Sequence, residues 1–322
     1  MMMKNIILLY FFFLPFFGDL LMTSAAQGSY NEYLDDEEIV RKKDLPWKRK
    51  GFEFYIGAGL YFGDGKTAIY YNGAPENSIN LNNLLKNEYH RQEVFDIIRR
   101  AYPYLDQNSI IELDEVFNQK TGYSMAMDIS LSVKYRIQKN FYLDLSYSFR
   151  RLSSENRFIF NFPEVPLSNI TKPYSNWQYL IAKEDRHYID LSAGYILQKH
   201  AIVKPFISLG LLFTYIRIHS FLAIIEGVPF DLMYAARYPN WTPGTQEMPI
   251  YWDWAGPGFG MSLTAGLKIA FSRTVSIDPV FQLSIASFGN GGNLPHFNTS
   301  PCFNYMAGIR LVMNDELFSR NK

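Results

Sequence analysis

The stretch that decides the fold is residues 123–137, YSMAMDISLSVKYRI, in which apolar and polar side chains alternate. The odd positions from 125 to 135 are Met, Met, Ile, Leu, Val and Tyr, whereas the even positions include Asp128, Lys134 and Arg136. Successive side chains of a β-strand point to opposite faces, so this segment predicts a strand with one apolar and one ionic face. The segment is long enough to cross a membrane as a tilted strand.

The same alternation occurs in eight segments of the chain, and short turns and long loops separate them in strict alternation. This repetition predicts an all-β protein, an eight-stranded antiparallel transmembrane β-barrel with long external loops. An even number of strands puts both ends of the barrel on the side of the short turns, which is the periplasmic side of such proteins. The predicted strands are about 52–62, 123–137, 141–150, 187–197, 204–217, 258–271, 275–288 and 303–313.

The beginning of the chain has the pattern of a secretory signal over residues 1–26. Lys4 precedes the apolar run 6–17, and the small residues Ser24 and Ala26 have the spacing of a cleavage site. An uncleaved membrane helix is the alternative, which Pro15 within the run disfavours. We expect a polar periplasmic lead-in over 27–50, the barrel over 51–314, a tail over 315–322, and external loops at about 63–122, 152–186, 218–256 and 289–302.

Two details of the predicted barrel depart from a plain strand-and-loop pattern. The first external loop contains apolar residues at helical spacing over 81–100, and Ser109 and Glu112 have capping-box spacing for a second short helix. That loop is therefore expected to fold as a cap. Pro279 lies inside the seventh predicted strand and cannot donate a ladder hydrogen bond, so a bulge or a local gap in pairing is expected there.

Composition excludes some functions and favours a membrane barrel. The formal net charge is zero, from 31 basic and 31 acidic residues, which gives no electrostatic basis for binding nucleic acid. The aromatic share of 17% suits a barrel, because aromatic rings form girdles at both membrane interfaces. Cys302 is the sole cysteine and cannot form an internal disulfide.

Two hairpins predict charged pairs inside the barrel. Lys134 and Asp144 lie symmetrically about one short turn, and Lys268 and Asp278 about another. Antiparallel pairing would place the members of each pair opposite each other on the inner face. The interior of an eight-stranded barrel is only wide enough for side chains, so the charges are expected to pair as an ionic plug, with a proton or solute path as the alternative. The predicted lumen charges are Glu53, Lys134, Arg136, Asp144, Lys204, Lys268, Asp278 and Arg310.

The third predicted loop is rich in aromatic residues, and they are a candidate interaction surface. The residues are Tyr238, Trp241, Tyr251, Trp252 and Trp254. Exposed rings of this kind could bind a glycan, a lipid head group or a protein. The alternative is that they belong to strands above the membrane and to an outer aromatic girdle.

Histidines at the predicted outer rim raise the alternative of a rim enzyme acting on lipid or peptide. His187 and His219 lie beside Glu184 and Asp185 in this reading. Their spacing matches neither a metal motif nor a known catalytic triad, so no catalytic, cofactor-binding or metal-binding residue is predicted.

Four segments carry a resemblance to a known class of proteins: GFEFYIGAGLYF at 51–62, SLSVKYRIQKNFYLDLSYSF at 130–149, KPFISLGLLFTY at 204–215 and SLTAGLKIAFSRTVSIDPVF at 262–281. The chain resembles small outer-membrane β-barrel proteins of the kind common in Bacteroidota. The resemblance implies a bacterial outer-membrane location and a non-enzymatic role without a cofactor. It also implies that the role is structural, surface-interacting or accessory to an envelope complex. The partners implied are outer-membrane lipid and, through the external loops, other envelope proteins or surface ligands.

Overall fold

A computed structural model describes residues 51–105, 110–114, 121–138, 140–162, 177–197, 203–238, 240, 242–244, 254–272, 274–288 and 301–315. The predicted signal and lead-in over 1–50, and residues 316–322 of the predicted tail, lie outside the described residues.

Ten strands and four α-helices make up the described chain. The barrel strands are β1 (Gly51–Phe62), β3 (Ala126–Arg136), β4 (Phe141–Asn161), β5 (Gln178–Ile196), β6 (Val203–Ile225), β8 (Ala255–Ala270), β9 (Val275–Ala286) and β10 (Cys302–Asn314). The shorter strands are β2 (Glu112–Asp114), which pairs with β4, and β7 (Val228–Asp231), which pairs with β6. The helices are α1 (Gly65–Ala68), followed by a 3-10 turn (Ile69–Tyr71), α2 (Leu81–Lys86), α3 (Glu88–Ala101) and α4 (Leu232–Arg237).

The eight long strands close into a ring. Each pairs antiparallel with its neighbours in the order β1, β3, β4, β5, β6, β8, β9, β10, and β10 pairs with β1. The predicted eight-stranded antiparallel barrel is confirmed. Closure matters because every strand finds a partner on both edges, which a hydrocarbon environment requires of the backbone.

The ladder between β8 and β9 is interrupted at the predicted place. Paired residues end at Gly266 opposite Val280 and resume at Ile269 opposite Ile277, with no shift of register. Pro279 lies in this gap and has no N–H to donate. The predicted local gap is therefore present, without a bulge between these two strands.

The outer face of the barrel is an apolar band. Leu211, Met127 and Phe259 are 65%, 64% and 62% exposed, which is a feature of a surface that contacts lipid. On one strand the band runs from Met125 to Tyr135, a rise of about 33 Å along the strand and roughly 25 Å across the membrane at a typical tilt. That height matches the apolar band of a membrane barrel.

Strands β4, β5 and β6 are longer than predicted. Beyond the band, β4 and β5 cover residues 152–161 and 178–186 of the loop predicted at 152–186, and β6 covers residues 218–225 of the loop predicted at 218–256. Those parts of the two loop assignments are corrected. Beyond the band the polarity of the two faces reverses: on β4 the outward residues become Arg151, Ser153, Glu155 and Arg157, while Leu152, Phe158 and Phe160 are buried inside. We call residues 151–161, 178–186 and 216–225, with β2 and β7 at the edges, the upper sheet.

The first long connection folds as a cap, as predicted, and it packs against the inner face of the upper sheet. We call residues 64–105 the cap. The ring of Tyr71 lies 5.4 Å from that of Phe221 of β6, and Asn156 of β4 donates a hydrogen bond to the Tyr71 carbonyl at 2.9 Å. Buried residues of α2 and α3, such as Leu81 and Val94, belong to the same apolar cluster as the inner face of the upper sheet.

The helical details of the cap differ from the predictions. The stretch 81–100 forms two helices, because Asn87 takes an extended backbone conformation and its side chain accepts a hydrogen bond from the His90 N–H to cap α3. The prediction of a second short helix is wrong at Glu112, which is the end that the structure describes. Glu112 lies in β2 and pairs with Asn161 of β4. No helix in the described ranges has both the length and the apolar character needed to span a membrane.

Candidate functional site: the ionic lumen and its cap

The structure places all eight predicted lumen charges inside the barrel. None is more than 6% exposed. They come from β1, β3, β4, β6, β8, β9 and β10, because the alternation of each strand turns its polar residues inward.

Glu53 is the centre of the lower part of the lumen, on the side of the short turns. It forms a salt bridge with Arg136 of β3, and both of its carboxylate oxygens lie 2.9 Å from the Lys268 ammonium of β8. One carboxylate thus joins three strands across the interior. Such a pair stabilises only if its partners remain in place, because an isolated buried charge is costly.

The first predicted cross-strand pair has the expected register, with Lys134 opposite Asp144. Asp144 accepts hydrogen bonds from Ser132 and from the Tyr55 hydroxyl, the latter at 3.4 Å, and lies 4.0 Å from the Arg310 guanidinium. Contacts from several strands therefore converge on this carboxylate.

The ammonium of Lys134 lies over aromatic rings. It is 4.6 Å from the ring centre of Tyr142 and 5.3 Å from that of Phe206. A ring face attracts a cation, and this attraction is larger where water is excluded. In the second predicted pair, Asp278 accepts from Ser276 at 3.0 Å, and the positions of Asp278 and Lys268 fall in the gap beside Pro279.

A middle layer of charges was not among the predicted lumen residues. Arg150 donates from Nε to Asp128 at 2.5 Å and from Nη2 to Gln282 at 3.3 Å. Its guanidinium is held between the rings of Tyr61 and Tyr188, at 4.2 and 4.0 Å from their centres. The side chain therefore extends across the barrel and fills it at this level.

An upper layer joins the barrel to the cap, and we call it the junction. Glu184 of β5 forms a salt bridge with Arg186 and accepts from the hydroxyls of Tyr71 at 2.5 Å and Tyr123 at 3.1 Å. Arg186 in turn donates to Thr67 of α1 at 2.9 Å. Two charged side chains of one barrel strand thus bind two side chains of the cap.

Tyr71 is suited to act as a permanent donor at the junction. Its burial and the neighbouring negative charge of Glu184 raise the pKa of its hydroxyl well above the ordinary value. The hydroxyl therefore stays protonated at neutral pH and keeps its hydrogen bond to the carboxylate.

The residues of the junction were missed because the fourth predicted strand began at residue 187. In the structure β5 begins at residue 178, and Glu184 and Arg186 have the same parity as the inward residues Tyr188 and Asp190. The signal that could have found them is this continued alternation, in which the inward face remains polar for two more positions.

The predicted aromatic surface is only partly described. Trp241, Tyr251 and Trp252 lie outside the described residues. Tyr238 follows the last residue of α4 and is half-buried, and its ring centre lies 5.0 Å from that of Tyr234 with the ring planes tilted by 51°. Trp254 is also half-buried and packs against the apolar cluster of the upper sheet. These two rings contribute to packing above the membrane band.

The groups considered for a rim enzyme lie on different faces. His187 points outward, where its Nδ1 lies 2.7 Å from the Tyr147 hydroxyl, whereas Glu184 is buried inside the barrel. Asp185 also points outward and pairs with Arg151 at 2.7 Å. A single reacting centre would need these groups to converge. Within the described ranges no three His, Cys, Asp or Glu side chains are grouped to hold a metal ion.

No protein-family model and no curated protein matches the chain. Among solved structures it is similar to Neisserial surface protein A, with 10% identity over 81% of this chain and 96% of that one and a TM-score of 0.36. It is similar to OprG of Pseudomonas aeruginosa, with 13% identity, 84% and 99% coverage and a TM-score of 0.35. The third is Ail of Yersinia pestis in complex with the heparin analogue sucrose octasulfate, with 10% identity, 82% and 99% coverage and a TM-score of 0.31.

These similarities are too weak to bear on activity, and the architecture is established by the strand pairing of the chain itself. A closed barrel with an apolar outer band, a polar interior and aromatic residues at the band's edges is the architecture of a bacterial outer-membrane protein. The attribution to Bacteroidota stays a prediction.

Proposed function

We propose that this chain is a non-enzymatic outer-membrane protein whose plugged barrel presents a folded head on the cell surface. The head consists of the cap and the upper sheet, and its role is interaction with surface ligands or with other envelope proteins. The observation that carries the proposal is the stack of three buried charged layers that ends beneath the cap. These layers are centred on Glu53, Arg150 and Glu184.

The layers argue against an open channel. The interior of an eight-stranded barrel is only wide enough for side chains. Here the lower layer links β1 with β8 through Glu53 and Lys268, and the middle layer links β4 with β9 through Arg150 and Gln282. Opening a path past Arg150 would separate a buried guanidinium from Asp128 and from two rings. Leaving such a charge without its partners costs about 3–5 kcal/mol.

The folded head supports a role in interactions at the cell surface. Loops that only connect strands need no apolar core, yet this connection contains two capped helices packed on a sheet. A folded element on the outside of a membrane barrel is suited to present a fixed surface to a partner. The separation of His187 from Glu184 on opposite faces supports the non-enzymatic part of the proposal.

Single-channel recording in planar bilayers tests the plug. We expect no discrete conductance steps from the purified barrel, and none after replacement of residues 65–105 by a short Gly-Ser linker, because two charged layers lie beneath the junction. Ion-selective steps from the unaltered chain would overturn the plugged barrel.

Affinity isolation from native membranes tests the head. The tagged chain is compared with the same chain lacking residues 65–105, after both have been shown to insert and fold. We expect at least one envelope protein or surface glycan to be retained only by the chain with the cap. Identical retention by both chains would show that the cap does not provide the interaction surface.

A further inference from the structure

The outward face of β4, β5 and β6 changes sharply just above the membrane band. The last aromatic row is Phe149, His187 and Tyr215, which are cross-strand neighbours in the register of these strands. The next row on the same face is Arg151, Asp185 and Arg217. Neighbours in such a row lie about 5 Å apart, so the charged row begins directly at the edge of the aromatic girdle.

This row is the lower part of a basic patch. Arg151 donates to both oxygens of Asp185, at 2.7 and 3.0 Å, and is itself half-exposed. Lys183 lies one row above Asp185 and is exposed, as are Arg217 and His219. This part of the face has three permanent cations, Arg151, Lys183 and Arg217, and one carboxylate, Asp185, so the patch has a net positive charge at neutral pH.

The patch is confined to one side of the barrel. On the other five barrel strands, the outward residues at the upper end within the described ranges are apolar. They are Leu60 and Phe62 of β1, Met127 of β3, Phe259 of β8, Ile285 of β9 and Phe303 and Tyr305 of β10. A general solubilising rim would be spread around the barrel, whereas these cations are concentrated on three adjacent strands.

We propose that Arg151, Lys183 and Arg217 form a binding site for the phosphate groups of a lipid in the outer leaflet. The aromatic girdle marks the interface, so the adjoining row lies at the depth of the lipid head groups. An arginine guanidinium offers paired N–H donors that match the geometry of a phosphate, and a lysine adds a strong point charge. Because the strands continue upward as the upper sheet, the three side chains are carried by rigid β-structure.

This site rests on the proposed outer-membrane location, and the test separates the two. The barrel is placed in nanodiscs of phosphatidylcholine that contain a small fraction of diphosphoryl lipid A, or of dephosphorylated lipid A. After partial removal of lipid, native mass spectrometry counts the lipid A molecules that remain bound. A chain that does not insert and fold in the nanodisc contradicts the proposed location, whereas the counts of an inserted chain address the site.

The variant is Lys183→Gln/Arg217→Gln, which leaves the pair of Arg151 and Asp185 intact. The matched control is Arg91→Gln/Arg100→Gln, which removes two charges from the surface of α3. We expect the unaltered chain to retain more diphosphoryl than dephosphorylated lipid A. In the variant the ratio of the two bound lipids should fall roughly tenfold, whereas in the control it should stay unchanged.

Two results would overturn the site. Equal enrichment in the variant and the unaltered chain would show that the patch does not bind the phosphates. Displacement of bound lipid A by millimolar inorganic phosphate would show that an isolated phosphate suffices, and the lipid would then be the wrong source.

Discussion

At the scale of single residues, the interior combines ion pairs with aromatic rings. Arg310 lies 4.5 Å from the ring centre of Tyr55, and Arg186 lies 4.4 Å from that of Phe288. A guanidinium is flat and weakly hydrated, so it tolerates a site in which a carboxylate contacts its edge and a ring covers its face. The repeated use of this arrangement explains how so many cations can be buried in a narrow barrel.

Among the charged residues of the lower layer, Glu53 is the one whose replacement should reduce the stability of the barrel most. In Glu53→Gln, Arg136 and Lys268 lose the carboxylate that both contact. We expect a loss of about 3–5 kcal/mol in the free energy of unfolding, measured as a lower urea midpoint in lipid vesicles.

The matched control is Glu155→Gln, which removes the same charge from the exposed outer face of β4. The second change in Glu53→Gln/Lys268→Gln should restore part of the loss, because one of the two stranded cations is then neutral. Equal midpoints for Glu53→Gln and Glu155→Gln would contradict the role of the buried carboxylate.

At the scale of an element, β4 shows how one strand serves two environments. Its odd residues point outward along its whole length, yet they are apolar from Phe141 to Phe149 and polar from Arg151 to Arg157. The inward residues change in the opposite sense, from Asp144 and Arg150 to Leu152 and Phe158. The point of reversal marks the level at which lipid gives way to water.

Two arginine substitutions on the same face of β4 test this boundary. Leu145→Arg puts a charge into the apolar band and should reduce the stability of the barrel in vesicles by about 2–4 kcal/mol. Ser153→Arg lies four rows higher on the same outward face and should change stability little. Similar losses in both variants would show that the band extends above Arg151.

At the scale of the whole molecule, the barrel and the head share strands and a core. One apolar cluster includes Tyr142 and Phe206 inside the barrel, near the short turns, and continues up to the residues between the upper sheet and the cap. The junction of Glu184 and Arg186 lies where the polar lumen meets this cluster. The ion pairs of the lower and middle layers lie between barrel strands, so we expect the barrel to fold without the cap. The upper sheet should depend on the cap, which covers its apolar inner face.

Replacement of residues 65–105 by a short Gly-Ser linker tests that dependence. The membrane-level amides should keep their protection in hydrogen exchange, whereas the amides of the upper sheet, around Leu180 and Phe221, should lose most of theirs because its apolar face is uncovered. A chain in which only Leu143→Met is changed, a volume-conserving exchange on the lipid face, serves as the control. Unchanged protection of the upper sheet would show that it is stable alone.

The sequence by itself determined the barrel, its number of strands and the inward position of the eight predicted lumen charges. An alternation with period two depends only on which neighbours share a face, so it can be read locally from residues such as those at 123–137. The gap at Pro279 was predictable for the same reason, since a missing N–H belongs to the residue.

Only the tertiary structure decided where β4, β5 and β6 end, and which charges meet across the lumen. In these strands the outward residues change from apolar to polar, so the sequence pattern alone predicts a loop there. The segments form strands because the cap buries their apolar inner face. Contacts such as that of Glu53 with Lys268 join residues far apart in the chain, on strands that are not neighbours in the ring. Which residues meet across the lumen depends on the closure and width of the barrel, and a local sequence pattern contains neither.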